Sequence, residues 1–471
     1  MKHLVNFCLV LITTLTNSFA QPYFEKYYGI AGRNNAASYF QILPDGGYIL
    51  SGSSDGEGYL IRLNSIGDTL WTRLYPDATA DCIKIQPAGD FFMAGSYSIT
   101  PPPTAVLTHC DSAGNLIYTT SQSSSPFSRY GIAVEALNYQ HVGFLDNDLY
   151  PFQEFLRLHS YDSLWNHNWE YPIGKVSDCS NSALRKTNDG FVVACGSFDT
   201  PYPHLRVCRI DSTGNGLWNK DFRYDSIAET GQAAWSMCAT ADSGFMILGY
   251  RTYGNPSLHY RILLMKLNSA GDSLWSKEYD FRNSNSFRSI QLMPDGGFIA
   301  IGTVAYPPVG SFFDYRTVLL RTDANGDSLW TKEFTGLGLC NASHVEVGNN
   351  GDISVLSTTT DQNTGETYFY LLKTDSTGSL ITSLPENNFS RLHIGPNPAN
   401  DKIYLTGNAD LKTLNIKITS LSGKIISEFF SDENRISINT DPFPDGVYLL
   451  QISYEENFLE VKKFVVLHRK N

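Results

Sequence analysis

The chain has 471 residues, of which 42% are hydrophobic, 13% aromatic and 17% charged; this is enough apolar surface for a folded core and far more than a disordered segment carries. A net charge of −12 excludes the basic patch a nucleic-acid partner needs, and 38 Gly with 21 Pro is an ordinary share that excludes collagen-like and low-complexity classes. At roughly 100–200 residues per domain the length allows several domains, or fewer if one of them is a β-repeat unit.

Met1-Lys2-His3 is a short basic start, residues 4–15 are apolar, and Ser18-Phe19-Ala20 is a small-x-small signal, so a secretory signal peptide is predicted over 1–20 with cleavage between Ala20 and Gln21. The apolar stretch would rise about 18 Å, short of the roughly 30 Å bilayer core, and no later stretch reaches eighteen apolar residues; no transmembrane anchor is expected. Beyond Cys8 the cysteines are Cys82, Cys110, Cys179, Cys195, Cys208, Cys238 and Cys340. Their odd number and the lack of any CxxC pair suggest neither a dense disulfide framework nor zinc. Cys195 and Cys208 flank a hairpin loop, as a cross-strand bridge or as two buried thiols.

Seven copies of a repeat follow. Gly67-Asp68-Thr69-Leu70-Trp71 recurs at 271–275 and 326–330, with weaker copies at 114–118, 161–165, 214–218 and 378–381; marker positions 71, 118, 165, 218, 275, 330 and 382 are 47 to 57 residues apart. Upstream of the copies lie turns such as Asp45-Gly46-Gly47, Gly89-Asp90, Asp189-Gly190, Asp242-Ser243-Gly244, Asp295-Gly296-Gly297 and Asn350-Gly351, with Asn138-Tyr139-Gln140 as the degenerate case. Gly and Asn tolerate the positive φ of hairpin turns, so each repeat predicts four short strands, the signature of a propeller blade. The seventh repeat lacks a fourth strand, and residues 23–29 carry its pattern, so the N-terminal strand is expected to complete the last blade of a seven-bladed β-propeller over 21–382. The repeat resembles the propeller repeats common in exported proteins of the Bacteroidota, a resemblance that implies a fold and not an activity.

Residues 383–388 read as a polar, Pro-containing linker, and from Phe389 on short alternating strands predict a small Ig-like β-sandwich over 389–471. Pro396-Asn397-Pro398-Ala399, then Ser420-Leu421-Ser422-Gly423-Lys424, Pro444-Asp445-Gly446-Val447-Tyr448 and Lys462-Lys463-Phe464-Val465-Val466 occur in order. They resemble the type A sorting domain of the type IX secretion system. That resemblance implies the type IX machinery as partner and a secreted or surface location beyond the outer membrane.

The chain offers little chemistry. Gly52-Ser53-Ser54-Asp55-Gly56 matches the serine-hydrolase pattern but falls on a predicted hairpin, not a strand-to-helix elbow. Asp323-Ala324-Asn325-Gly326-Asp327 starts like a calcium loop, yet Phe334 stands where the closing acid belongs, and the histidines lack metal-ligand spacing; no metal or cofactor is expected. At least thirteen aspartates fall in the repeat turns, where they cap backbone N–H groups, so the acidic charge describes turns and not partners. Aligned on the turns, Gln41, Lys84, Glu135, Leu184, Cys238, Gln291 and Glu346 occupy one first-strand position, polar in five repeats, and are expected to line a central channel, water-filled or ligand-binding. Aromatic residues cluster between second and third strands: Tyr97, Tyr150 with Phe152, Phe198 with Tyr202, Tyr250 with Tyr253, and Tyr306 with Phe312, Phe313 and Tyr315. Variable loops on one rim suit a non-enzymatic module that binds a glycan or protein. The alternative is a glycan-cleaving hydrolase or lyase using Glu135 and Glu346 as acid/base pair.

Overall fold

The structure is a computed structural model that describes residues 23–380 and 393–468, apart from short segments between strands such as 98–102, 123–127, 198–202, 254–258 and 407–413. The signal peptide with Ala20 and Gln21, and the linker 383–388, lie outside the described residues. Every regular element described is a β-strand, and the chain divides into two compact units at Leu380/Ile381.

The period-2 patterns become antiparallel meanders whose burial is graded from the inside outward. In the sheet of residues 35–75, Tyr48–Ser54 and Glu57–Leu63 are buried on both faces, whereas the edge strand Thr69–Tyr75 alternates between exposed and half-buried. Strands enclosed by neighbouring sheets are apolar throughout; an edge strand keeps one face for water. Further four-stranded sheets span 82–122, 229–279 and 285–334, and an eight-stranded sheet over 128–222 contains two meanders joined through Val176 opposite Ser197 and Asp178 opposite Gly196. Phe24–Tyr28 pairs antiparallel with Thr367–Thr374, supplying the fourth strand of the sheet formed by 338–374. This succession of four-stranded meanders is propeller-like.

The repeated motif works between sheets. The side-chain oxygen of Asn64, Asp111, Asp211, Asn268, Asp323 or Asp375 accepts from backbone N–H groups two and four residues on, which fixes a turn. Three residues after that side chain stands a glycine with positive φ, and the large aromatic of the preceding sheet lies where its Cβ would be. A Cβ on Gly114 would come within 2.9 Å of Trp71, one on Gly326 within 2.6 Å of Trp275, and one on Gly67 within 2.9 Å of Phe24. The Tyr28 and Tyr75 hydroxyls donate to the Gly67 and Gly114 carbonyls at 2.6 Å, and Tyr279 makes the same bond to Gly326. The third repeat corrects the sequence alignment: Trp165 occupies the glycine position at φ 65° and stacks on Tyr118 at 5.1 Å, while Trp169 takes the marker seat beside Gly214. Two tryptophans compete for one motif there, and the marker seat falls four residues after Trp165.

A second repeated device ties each first turn to the third strand: Arg62 to Asp45, His109 to Asp90, Arg209 to Asp189, Lys266 to Asp242, Arg321 to Asp295 and Lys373 to Asp352. The degenerate turn at 138–140 lacks the acid, and Ser160 replaces its cation. Gly52 to Gly56 is a hairpin as expected, with Asp55 and Gly56 both at positive φ between paired Ser54 and Glu57. All six described cysteines are buried thiols outside any disulfide, including Cys195 and Cys208, which sit two residues out of register on adjacent strands.

The C-terminal unit packs a three-stranded sheet, His393–Gly395, Lys402–Thr406 and Arg435–Asn439, and a four-stranded sheet around a core that includes Ile403, Ile416, Leu450 and Phe464. Arg435–Asn439 was not anticipated from the sequence. Tyr448 is buried, stacks on Phe464 and donates to the Pro444 carbonyl at 2.6 Å, and Gly446 opens that strand. Ala399 bridges the last strand in parallel. Pro396 and Lys463 are exposed and Lys462 is half-buried; Asn397, Pro398 and Gly423 lie outside the described residues.

Candidate functional site

The first strands of successive sheets meet at one place, and ladder register there corrects the polar ring. Gln41 pairs with Ile49, Lys84 with Phe92, Glu135 with Gly143, Cys238 with Met246, Gln291 with Ile299 and Glu346 with Ser354. The residue at the same rung of the 184–222 meander is Arg185, opposite Val192, and not Leu184, which is buried. The turn before Gly190 is one residue shorter than the others (Thr187 N to Gly190 O, against Leu43 N to Gly47 O), so alignment on the Asp-Gly turn slips by one. Six of the seven ring residues are therefore polar.

Part of the ring is compensated internally, while Gln41, Lys84, Arg185, Gln291 and Glu346 stay half-buried. Glu135 is only 4% exposed and accepts from Lys84 Nζ at 3.0 Å, while Gln41 Oε1 accepts from the Ile85 amide at 2.8 Å. Irregularities in the ladder before Tyr39, Ala133, Ser236, Ser289 and His344 turn a second layer inward. There Tyr39 stacks on fully buried His344 at 3.9 Å, and His344 bonds Ser289 at 2.9 Å and Glu346 at 3.3 Å. Burial drives the His344 pKa down against the pull of Glu346, and it drives the Tyr39 hydroxyl up. Burial works against the Arg185 charge, but the fields of Tyr39 and Glu135 outweigh it, so its pKa rises. Two cations, Lys84 and Arg185, and two carboxylates, Glu135 and Glu346, thus stand on equivalent rungs, with Lys84 and Glu135 directly paired. The bulges that turn Tyr39 and His344 inward leave no mark in the sequence pattern, whereas the short turn that places Arg185 is visible as Asp189-Gly190 against Asp45-Gly46-Gly47 and needs a one-residue gap in the alignment.

Asp81 is another unforeseen group: burial pushes its carboxyl up to about 6 even though Thr79 donates to it at 2.6 Å. Among the described residues no group of three or more His, Cys, Asp or Glu is placed to hold a metal ion.

Of the aromatic residues expected in loops, Tyr97, Tyr150, Tyr250, Tyr253, Tyr306, Phe312, Phe313 and Tyr315 stand on strands instead, and Phe152, Phe198 and Tyr202 lie outside the described residues. Tyr306 ends a ladder run in Phe298–Val309, opposite Asp314 of Phe312–Thr322, and Tyr315 pairs with Ala305. Backbone pairing runs outward as far as Tyr306, and the ladder becomes irregular between Tyr306 and Val309, where Pro307 and Pro308 have no N–H to donate. Tyr306 donates to Glu333 at 2.5 Å beneath the Arg316 guanidinium, 4.6 Å from its ring. The neighbouring sheet repeats the arrangement, with Tyr253 bonded to Glu278 under Arg261 at 5.0 Å. Phe312 and Phe313 lie on the strand, and their side chains fall outside the described residues.

Three clefts are described. Two are built on the turn side around Asp45 with Arg62 and around Asp189 with Lys186. The third, of about 420 Å³, lies between the strand Phe24–Tyr28 with its partners and the outer strands of the 35–75 sheet, and four of its lining residues are tyrosines.

Residues 393–467 match the family described as the secretion system C-terminal sorting domain, here the type IX class, which indicates export of the chain. No curated protein matches the chain. Similar solved structures include Drosophila Semaphorin 2a, at 7% identity over 95% of this chain and 99% of that one with a TM-score of 0.46. An alpha-L-arabinanase of Penicillium chrysogenum complexed with arabinobiose is 9% identical over 63% of this chain and 92% of that one, TM-score 0.43. The alpha-L-arabinofuranosidase of Fusarium graminearum, with an iminosugar inhibitor, is 8% identical over 64% and 94%, TM-score 0.41.

Proposed function

We propose that the chain is an exported, non-enzymatic binding module, a seven-bladed propeller over 21–382 that a type IX sorting domain over 389–471 delivers to the cell surface or the medium, where it engages a glycan or protein. The family match at 393–467 carries the reading, together with a predicted leader over 1–20. A closed ring is supported by bonds between the sheet at 35–75 and the sheet at 338–374: Asn35 N to Thr367 Oγ1 at 2.7 Å, Ala37 N to Thr358 Oγ1 at 2.9 Å and Ser343 Oγ to the Ala37 carbonyl at 2.8 Å. Counting the eight-stranded sheet as two blades gives seven.

Binding is favoured over hydrolysis by what the polar residues do. Glu135 is buried against Lys84 and Glu346 is bonded to His344, whereas an acid/base pair has to reach its substrate. The repeated aspartates hold turns. The half-buried Tyr306 and Tyr315, with Phe312 and Phe313 on the same hairpin, remain candidates for recognition, and Lys84, Glu135, Gln291 and Glu346 become scaffold. Removing 389–471 is expected to trap the protein in the periplasm; unchanged surface delivery refutes the export reading.

A further inference from the structure

The cleft between the N-terminal strand and the 35–75 sheet differs from the other two in what lines it. The turn-side clefts include residues of the scaffold's own ion pairs, Asp45 with Arg62 and Asp189, which Arg209 binds. This one is walled by Tyr27, Tyr59 and Tyr368, with Thr69, Thr72 and Asp361 among its polar groups, and none of its ten lining residues is Lys, Arg or His. Its volume of about 420 Å³ falls within the roughly 300–1,000 Å³ typical of small-ligand sites.

The seam is particular to this junction. At the position of Tyr27 the other six outer strands carry Leu74, Ser121, Pro172, Asp221, Glu278 and Glu333, so that none of them presents an aromatic ring there. The tyrosines are held in place beforehand. Tyr27 stacks on Tyr370 at 5.2 Å and donates to Glu25 at 2.7 Å, Tyr368 donates to Glu366, and Tyr59 meets Phe369 edge-on at 5.8 Å. Asn35, only 2% exposed, fixes the adjoining loop by donating to the carbonyls of Ile30, Arg33 and Thr367. Rings fixed in this way lose little entropy when a flat apolar face packs on them.

We infer that this cleft takes a neutral oligosaccharide. The apolar C–H faces of a sugar suit tyrosine rings, its hydroxyls suit two threonine hydroxyls and a carboxylate, and the lack of a lining cation disfavours uronate or sulfated sugars. The inference rests on the binding-module reading and assigns it a site and a ligand class.

The test is calorimetric titration of the full mature chain with hexasaccharides of cellulose, xylan, laminarin and mannan, and with the hexamer of polygalacturonate as the anionic arm. At least one neutral hexamer is expected to bind, the anionic one not. Tyr368→Ala is expected to weaken binding about three- to tenfold, the usual scale for losing one aromatic stack. Thr72→Val, at an exposed position, gives a second variant should Tyr368→Ala not fold. Binding unaffected by both variants overturns the cleft assignment and leaves the module reading standing. Tight binding of the anionic hexamer, or of no neutral hexamer, overturns the ligand class. If a glycan and protein array also stays blank, the module reading falls with it.

Discussion

Packing of a sheet's outer aromatic against the next sheet's turn glycine is open to a clean test, because two glycines with the same backbone differ only in their surroundings. Gly326 has φ 80° and Gly56 φ 84°. A Cβ on Gly56 meets nothing within 4 Å, whereas one on Gly326 comes within 2.6 and 2.7 Å of two ring carbons of Trp275. Each Gly→Ala change carries the left-handed penalty of about 1–2 kcal/mol. Gly326→Ala adds the displacement of a packed indole, about 1–3 kcal/mol on the scale of overpacked cores, for a total of about 2–5 kcal/mol. All seven tryptophans precede residue 381, so tryptophan fluorescence in a guanidinium titration of the full mature chain follows the first unit alone. At unchanged slope the midpoint shift gives the difference directly. A Gly326→Ala chain within about 0.5 kcal/mol of Gly56→Ala would mean that the contact does not hold the sheets together.

Three further outcomes concern the polar ring, His344 and Asp81. Lys84→Met leaves the Glu135 carboxylate buried without its cation and is expected to cost about 3–5 kcal/mol in the same titration, with Glu135→Gln recovering most of it in the double variant; a loss under about 1 kcal/mol refutes the buried pair. His344, its pKa lowered by burial and facing Arg185, Lys84 and Glu346, contributes stability that is present above its ordinary value near 6.5 and lost as pH falls through the depressed one, so His344→Gln should flatten the acid-side decline. Asp81 acts in the opposite sense: raised to about 6, it contributes stability that is present below its ordinary value near 4 and lost as pH rises through 6. Asp81→Asn should therefore stabilise the chain at pH 7–8 and steepen its loss of stability toward pH 4, read as melting temperature against pH; identical pH profiles for variant and parent refute the assignment.

Much of the architecture was legible because repeats encode local requirements. Positive-φ glycines, aspartates that cap turns and period-2 alternation each act within a few residues, so the four-strand unit, the pattern shared by residues 23–29 with the other outer strands, and the four sorting-domain motifs could be read directly from the sequence. The acidic charge likewise resolved into turns, as the Asp111, Asp211 and Asp323 caps demonstrate.

What the sequence could not decide depends on register and on neighbours distant in the chain. A turn one residue shorter moved Arg185 into the polar ring in place of Leu184, and Trp165 rather than a glycine took the left-handed seat in the third repeat, because a one-residue slip in a ladder exchanges the two faces of a strand. The hairpin of Phe298–Val309 and Phe312–Thr322 carries Tyr306 and Tyr315 outward on paired strands, a length set by the ladder and not visible in the sequence pattern. The pairing of Lys84 with Glu135 appeared only once strands of different sheets were brought together, since whether a charge is solvated or paired is a property of the space around it. The tyrosine cleft arises in the same way, from strands more than 300 residues apart in the chain that meet at one seam.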